Sequence, residues 1–272
     1  MFTGHPFEKL NEDQKSRIVG GVDAPEGYAA HMAALVWGDT VKSLMCGGSI
    51  VSKQHILTAA HCIDPMVMWG GELMPSFHAV VGSNQWNSNK TIAKFSHHVN
   101  HPNWDWVTIK NDIGVLVLEE KLELNARVAI APLSFEWVHG GTPTSATGWG
   151  RIGTWSSIPY NLQLLHMETI SPQLCAEAIR EASQTWGPAP PLNSEVELCT
   201  FHSVGHGMCN GDSGSALISR ETGCQIGIVS WGFPCAIGAP DVFVRINPYK
   251  SFLLATIGDI INSYSCNMPI EL

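Results

Sequence analysis

The sequence predicts an all-β protein of the sandwich or barrel type. Glycine and proline number 26 and 16 among 272 residues and punctuate the whole chain, which suits short strands joined by turns. Between them lie short apolar runs rich in valine and isoleucine, with period-two or continuous apolar patterns. Hydrophobic residues reach 44%, enough for a packed core and against wholesale disorder.

Taken in order, residues 1–17 lack hydrophobic periodicity and balance Glu8, Glu12 and Asp13 against Lys9, Lys15 and Arg17, the pattern of a tail or prosegment. A first strand series follows at Ala33–Trp37, Ser49–Leu57, Ala79–Val81 and Ile113–Leu118. The segment Leu124–Phe135, with Ala131-Pro132, reads as the connection between two halves. A second series comprises Ser145–Trp149, Leu162–Ile170, Ala216–Ser219, Gln225–Trp231 and Val242–Ile246. Two stretches read as helices. Ser171-Pro172 opens one that runs to about Ser183, with proline at the first helical position. Pro248 opens the other, whose apolar face is Phe252, Leu253, Ile257 and Ile260. Gly187-Pro-Ala-Pro-Pro191 between them must be loop.

Fifteen Lys+Arg against 24 Asp+Glu leave a formal charge of −9. That argues against a nucleic-acid binder, which needs a basic patch to neutralise phosphates. No stretch approaches the ~18–20 unbroken apolar residues of a membrane span. The eight cysteines form no Cys-x-x-Cys pair, so a zinc ribbon or thioredoxin-type redox site is disfavoured and disulfides are expected. Disulfides imply export. The first ten residues have neither a basic n-region nor an apolar h-region, so a secreted protein whose signal peptide is missing from this chain is expected. Eight cysteines alone leave on the order of a hundred pairings open.

Three local motifs carry chemistry. Thr58-Ala-Ala-His-Cys62 places a histidine just after an apolar strand, Asn111-Asp-Ile-Gly-Val-Leu116 places an acid before one, and Gly211-Asp-Ser-Gly214 holds a serine in a glycine-flanked turn. A serine hydroxyl is a poor nucleophile until a base takes its proton, and the base needs a third group to fix its tautomer. His61, Asp112 and Ser213 supply those three types. Singly each has a bland reading, as a packed histidine, a capping acid or an ordinary turn; their joint occurrence in this order makes coincidence a poor account.

With these motifs the chain resembles the chymotrypsin-like (trypsin-like) serine proteases from Arg17 to about Ile260. The resemblance implies two six-stranded antiparallel β-barrels packed face to face, with a short intermediate helix and a C-terminal helix. The halves would be 18–131, carrying His61 and Asp112, and 132–272, carrying Ser213, the specificity pocket, the C-terminal helix and a tail. It implies His61 as general base then acid, Asp112 as the group orienting it, and Ser213 as the nucleophile. The N–H groups of Gly211 and Ser213 would form the oxyanion hole, and no cofactor or metal is implied. Arg17-Ile-Val-Gly-Gly21 resembles an activation site. Cleavage after Arg17 by a trypsin-like protease would free the Ile18 ammonium to pair with Asp212, so the uncut chain is expected to be an inactive zymogen. Implied disulfides are Cys46–Cys62, Cys175–Cys199 and Cys209–Cys235. Cys224 and Cys266 either pair, tying the tail to a hairpin, or stay free.

The family's primary pocket would be lined by Ser230, Trp231 and Gly232 and by the segment before Ser213, with Asn210 and Phe233 at the rim. Trypsins carry an acid at its base, where this chain has Gly207, while Asp241 stands where the far wall usually has glycine. Gly207 with Asp241 resembles the collagenolytic serine proteases of crustaceans and some insects, which implies cleavage after Arg or Lys and also after large apolar residues. The alternative is that Asp241 turns out of the pocket. Ser215-Ala216 departs from the usual Gly-Pro. Residues 63–76 form an insertion that either overhangs the cleft or packs on the surface. The Gly82–Thr91 loop has no acid, so a calcium site known in some members is not expected there. His97, His98 and His101 read as solvated or packed histidines rather than a metal cluster, and Asn89-Lys-Thr91 fits a glycosylation sequon.

The implied function is a secreted serine endopeptidase, monomeric, acting on proteins or peptides. Its other implied partners are an activating trypsin-like protease and protein protease inhibitors; neither nucleic acid nor membrane is expected. A catalytically silent protease-fold binding or regulatory protein is the alternative, disfavoured by the intact set. A lectin-like all-β module would explain neither the three motifs nor the cleavage site.

Overall fold

Branched and apolar side chains favour pleated, half-buried surfaces, and the computed structural model, which describes residues 18–266, turns them into two closed barrels. The predicted prosegment, 1–17 with Arg17, lies outside the described residues. In the first barrel β2 (Met32–Trp37), β3 (Ser43–Ser52), β4 (His55–Thr58), β7 (Gly114–Leu118), β6 (Ile92–Asn100) and β5 (Phe77–Val81) neighbour one another in that order and close on themselves. In the second, β8 (Pro143–Gly148), β9 (Gln163–Ile170), β10 (Glu197–Phe201), β13 (Asp241–Arg245), β12 (Gln225–Gly232) and β11 (Ala216–Ser219) close through the β11–β8 pairing. Every pairing between these strands is antiparallel, and closure gives each of these twelve strands a neighbour on both sides.

The chain ends cross between the halves. A two-residue strand, β1 (Val22–Asp23), pairs with Leu164 and Gln163 of the second barrel. At the other end, helix α3 (Lys250–Ile257) buries Leu253 and Ile257 in the cluster that fills the first barrel. Gly258, at φ 86°, then breaks the helix into a 3-10 turn. That break moves the apolar face by one residue: Ile261 is fully buried, whereas the predicted Ile260 is 48% exposed. Helix α2 (Pro172–Trp186) starts as expected, with Ser171 Oγ accepting from the Leu174 N–H at 3.3 Å, and runs three residues past the expected end to Trp186, with Gly187 capping it.

Other departures have local causes. The predicted run Ser49–Leu57 is two strands, because Lys53 and Gln54 make a turn in which Ser52 Oγ accepts from the Gln54 N–H at 3.0 Å. Strand β6 was not predicted, since only Ala93 and Phe95 point inward among Lys, Ser and His. Strand β10 was missed for the opposite reason: it buries Glu197 and Thr200.

All eight cysteines are paired: Cys46–Cys62, Cys175–Cys199 and Cys209–Cys235 as the resemblance implied, and Cys224–Cys266 as well. The last bridge ties the tail to the β11–β12 turn, where the Cys266 N–H also donates to the Leu133 carbonyl at 3.0 Å. Its closure of a 42-residue separation corresponds to about 4 kcal/mol in the chain-entropy picture. Replacing both cysteines by alanine is therefore expected to lower stability by up to about 4 kcal/mol, read as a fall in the urea midpoint at constant m-value. An unchanged midpoint would contradict that contribution.

Candidate active site

His61 sits in α1 (Ala60–Ile63), the single turn that follows β4, and Asp112 precedes β7. Because β4 pairs with β7, with Thr58 opposite Gly114, the two motifs 51 residues apart meet at one end of the first barrel. Asp112 is wholly buried. Its Oδ1 accepts from the His61 backbone N–H at 2.9 Å, and its Oδ2 accepts from His61 Nδ1 at 2.7 Å and from Ser230 Oγ at 2.6 Å. Donation to a carboxylate assigns the ring proton to Nδ1 and leaves Nε2 as the acceptor.

Ser213 comes from the second barrel, and close backbone packing brings it to His61. The Gly47 N–H of β3 donates to the Ser213 carbonyl at 2.8 Å, and Thr58 Oγ1 donates to the Gly47 carbonyl at 2.8 Å. A Cβ on Gly214 would lie 2.1 Å from Thr58 Oγ1 and 2.4 Å from the Gly47 oxygen, so only glycine lets the turn approach. Ser215, unusual at its position, is accommodated because Gly47 leaves it room: a Cβ there would stand 2.1 Å from Ser215 Oγ.

His61 and Ser213 line one cleft of about 400 Å³ between the barrels. No hydrogen bond joins them among the described residues, so the expected succession is closed between Asp112 and His61 and open between His61 and Ser213. Such contacts commonly tighten only when substrate is bound. Gly211, at φ 104°, holds the turn in a conformation that side chains resist. Among the described residues, the N–H groups of Gly211 and Ser213 donate to no protein acceptor.

Behind the serine, Asp212 is wholly buried and accepts from the N–H groups of Cys209 at 3.0 Å and Gly150 at 2.7 Å. Burial pushes its carboxyl up to about 7 despite those donors. Ile18 is also wholly buried, and the Val19 carbonyl accepts from the Gly207 N–H at 3.0 Å.

Asp241 turns into the cleft rather than away from it. Its Oδ2 accepts from the Met208 N–H at 2.9 Å, and a Cβ on Gly207 would come within 2.8 Å of that oxygen. The missing side chain at Gly207 is the space this carboxylate occupies. Burial, and then the neighbouring Asp212, push Asp241 up to about 8. Ser230, Trp231 and Gly232 line the same cleft with Asn210 and Phe233; Gly207 lies behind Asp241 and is not part of the wall.

Several features were not foreseen. Met45 and Pro65 line the cleft, and Trp106 stands with its ring 6.4 Å from that of His61; nothing in their local sequence marked them. The insertion 63–76 combines both expectations. Pro65 reaches the cleft rim, Met66 is buried in the first barrel's core, and Trp69 is fully exposed at a hairpin tip. His101 packs edge-on against Tyr249 and Phe252, and His97 Nδ1 lies 3.0 Å from Ser96 Oγ. Cys46, His61 and Cys62 cluster closely enough to suggest metal ligands, but both cysteines are committed to a disulfide.

Comparison with known proteins agrees with this geometry. The trypsin family model matches residues 18–253. The chain is similar to chymotrypsin-2 of Vespa crabro, 33% identical over 237 residues that span 87% of this chain and 98% of that protein. It is similar to trypsin alpha of Drosophila melanogaster, 30% identical over 93% of this chain and 92% of that protein. Trypsin alpha-4 of Lucilia cuprina is 27% identical over 90% and 89% of the two. Two closed barrels with a histidine, a buried acid and a serine turn at their junction, and a family match across most of the chain, have one common explanation: the chain belongs to the trypsin family.

Proposed function

We propose that this chain is a secreted serine endopeptidase, made as a zymogen and acting through His61, Asp112 and Ser213. The observation that carries the reading is a wholly buried Asp112 fixing His61 by two contacts beside a serine turn whose two N–H groups are open. Ser213 Oγ attacks the peptide carbonyl while His61 Nε2 takes its proton. The carbonyl oxygen becomes an oxyanion between the Gly211 and Ser213 N–H groups. His61 then passes the proton to the departing amine, leaving an acyl-serine that water hydrolyses by the same steps. Asp112 stabilises the imidazolium at each stage. Substrate would lie along Ser230–Gly232 as an added antiparallel strand. Four disulfides favour an oxidising, extracellular setting.

Asp241 would set the residue before the cut. Its carboxyl, held up to about 8, is neutral in the empty pocket in mild acid and charged in mild alkali. A neutral carboxyl admits large apolar side chains, whereas a carboxylate draws Arg and Lys. The ratio of kcat/KM for an Arg over a Leu substrate is therefore expected to rise roughly tenfold between about pH 6.5 and about pH 8.5. Any protonation change that affects catalysis of both substrates alike cancels in the ratio. Asp241→Gly should flatten the ratio and remove cleavage after Arg and Lys. A wild-type ratio that does not change with pH, or a variant that keeps its Arg preference, would refute this role.

A further inference from the structure

One buried ion pair spans the two barrels beside the cleft and takes no part in the chemistry above. Lys110 Nζ lies 2.8 Å from Glu197 Oε1, with the side chains 14% and 3% exposed. Lys110 belongs to the loop that ends in Asp112, and Glu197 opens β10 of the other barrel. The remaining ammonium protons go to the carbonyls of Thr108 at 3.1 Å and Ile109 at 3.2 Å. Glu197 is equally engaged: Oε2 accepts from the Asn193 N–H at 2.7 Å, and Oε1 also accepts from the indole N–H of Trp231 at 2.8 Å. The ammonium stands 5.5 Å from the centre of that indole.

These contacts close a ring. Asp112 is bonded to Ser230, Ser230 is joined through the chain to Trp231, Trp231 is bonded to Glu197, Glu197 to Lys110, and Lys110 leads back through Asn111 to Asp112. The backbone in the last link is strained, with Ile109 at φ 52° and Asn111 at φ 56°, and Tyr249 Oη holds it by donating to Asn111 Oδ1 at 3.0 Å. The members of the ring are not equally dependent on the ion pair. Asp112 keeps its three donors without it, whereas the Trp231 N–H has Glu197 as its one acceptor among the described residues.

We infer that Lys110 and Glu197 are positioning residues that hold the Trp231 indole in the wall of the cleft, and so set how well the enzyme grips a substrate beyond the residue at the cut. A neutral or absent partner would leave the other charge buried and uncompensated, and the indole would lose its fixed acceptor. The inference rests on the peptidase reading of the same site.

The test uses the trypsin-treated full chain and two chromogenic anilides sharing one residue at the cut, one a blocked single amino acid and the other a tetrapeptide. Glu197→Gln and Lys110→Met are expected to lower kcat/KM for the tetrapeptide about tenfold or more, chiefly through KM, and to leave the short substrate within about twofold. Lys110→Arg, which keeps the charge and a donor, should restore most of the loss. If the single charge variants fail to fold, the double variant Lys110→Met with Glu197→Leu removes both charges together and leaves neither uncompensated, and the same selective loss is expected from it because the indole N–H still has no acceptor. A role confined to stability would lower the melting temperature and leave the preference for the longer substrate intact, and that result would overturn the inference. Equal losses on both substrates would overturn it too. A wild-type enzyme that cleaves neither anilide would overturn the peptidase reading and this inference with it; one that cleaves both, with variants that keep its preference, removes only the role of the pair.

Discussion

Replacing Ser213 by alanine is expected to lower kcat for peptide hydrolysis by roughly a million-fold while leaving the fold unchanged. In the proposed mechanism the hydroxyl is the group that forms the covalent bond, so its removal abolishes the acyl-serine route. Fold retention follows from where Ser213 is anchored. Its contacts with the first barrel run through its backbone carbonyl, which the Gly47 N–H reaches at 2.8 Å, and the side-chain oxygen bonds to nothing among the described residues. Asp112→Asn is expected to cost about ten-thousand-fold, because an amide has one acceptor oxygen where the carboxylate has two: its NH2 must face either the His61 backbone N–H or the Nδ1 proton, so the three donors that fix this tautomer cannot all be kept. Both losses are read as kcat/KM on one anilide after active-site titration, with near-ultraviolet circular dichroism to confirm native packing. A Ser213→Ala enzyme that retains substantial turnover would show that another group is the nucleophile.

Arg17→Gln is expected to give a chain that trypsin cannot switch on. Without cleavage there is no Ile18 ammonium, and Asp212 is buried with no cation paired to it among the described residues, its carboxyl held up to about 7 from the ordinary 3.8. A carboxyl raised by folding binds its proton more tightly folded than unfolded. Its stabilising contribution is complete below the unfolded value of 3.8 and is lost as pH climbs through the folded value of about 7. In the cut chain the ammonium would keep Asp212 ionised and paired until the α-amino group itself titrates near pH 8. Cut and uncut chains should therefore show melting temperatures that separate as pH rises from about 5 to about 7, the cut chain being the more stable. A gap that stays constant, or narrows, would mean that Ile18 and Asp212 do not meet.

Much of the architecture was legible because valine and isoleucine mark strands wherever one face is apolar and glycine or proline ends the run. Legibility failed where burial and polarity part company. Strand β6 buries only Ala93 and Phe95 and carries Lys94, Ser96, His97 and His98 between and after them, and β10 buries a glutamate whose partners, Lys110 and Trp231, lie 87 and 34 residues away. No local window contains that pairing, so the ion pair between the barrels could not be read. The one-residue shift from Ile260 to Ile261 came from Gly258, whose positive φ ends the helix before the pattern does. His61, Asp112 and Ser213 were legible for a different reason. The chemistry proposed for them demands particular residue types, and their neighbours are constrained by close packing: Gly214 against Thr58, Gly211 in its left-handed turn. Asp241 was visible only through the resemblance, which named the position but not the fit between its carboxylate and the vacant side of Gly207.

The most direct measurement is covalent labelling of the trypsin-treated chain with an organophosphorus fluoridate, followed by digestion and mass mapping. The reading predicts one phosphorylated residue, Ser213, appearing only after cleavage at Arg17 and lost in a His61→Ala variant. A fully cleaved chain that takes up no label, or takes it at another residue, would contradict the proposal that histidine, acid and serine act here as one nucleophilic unit.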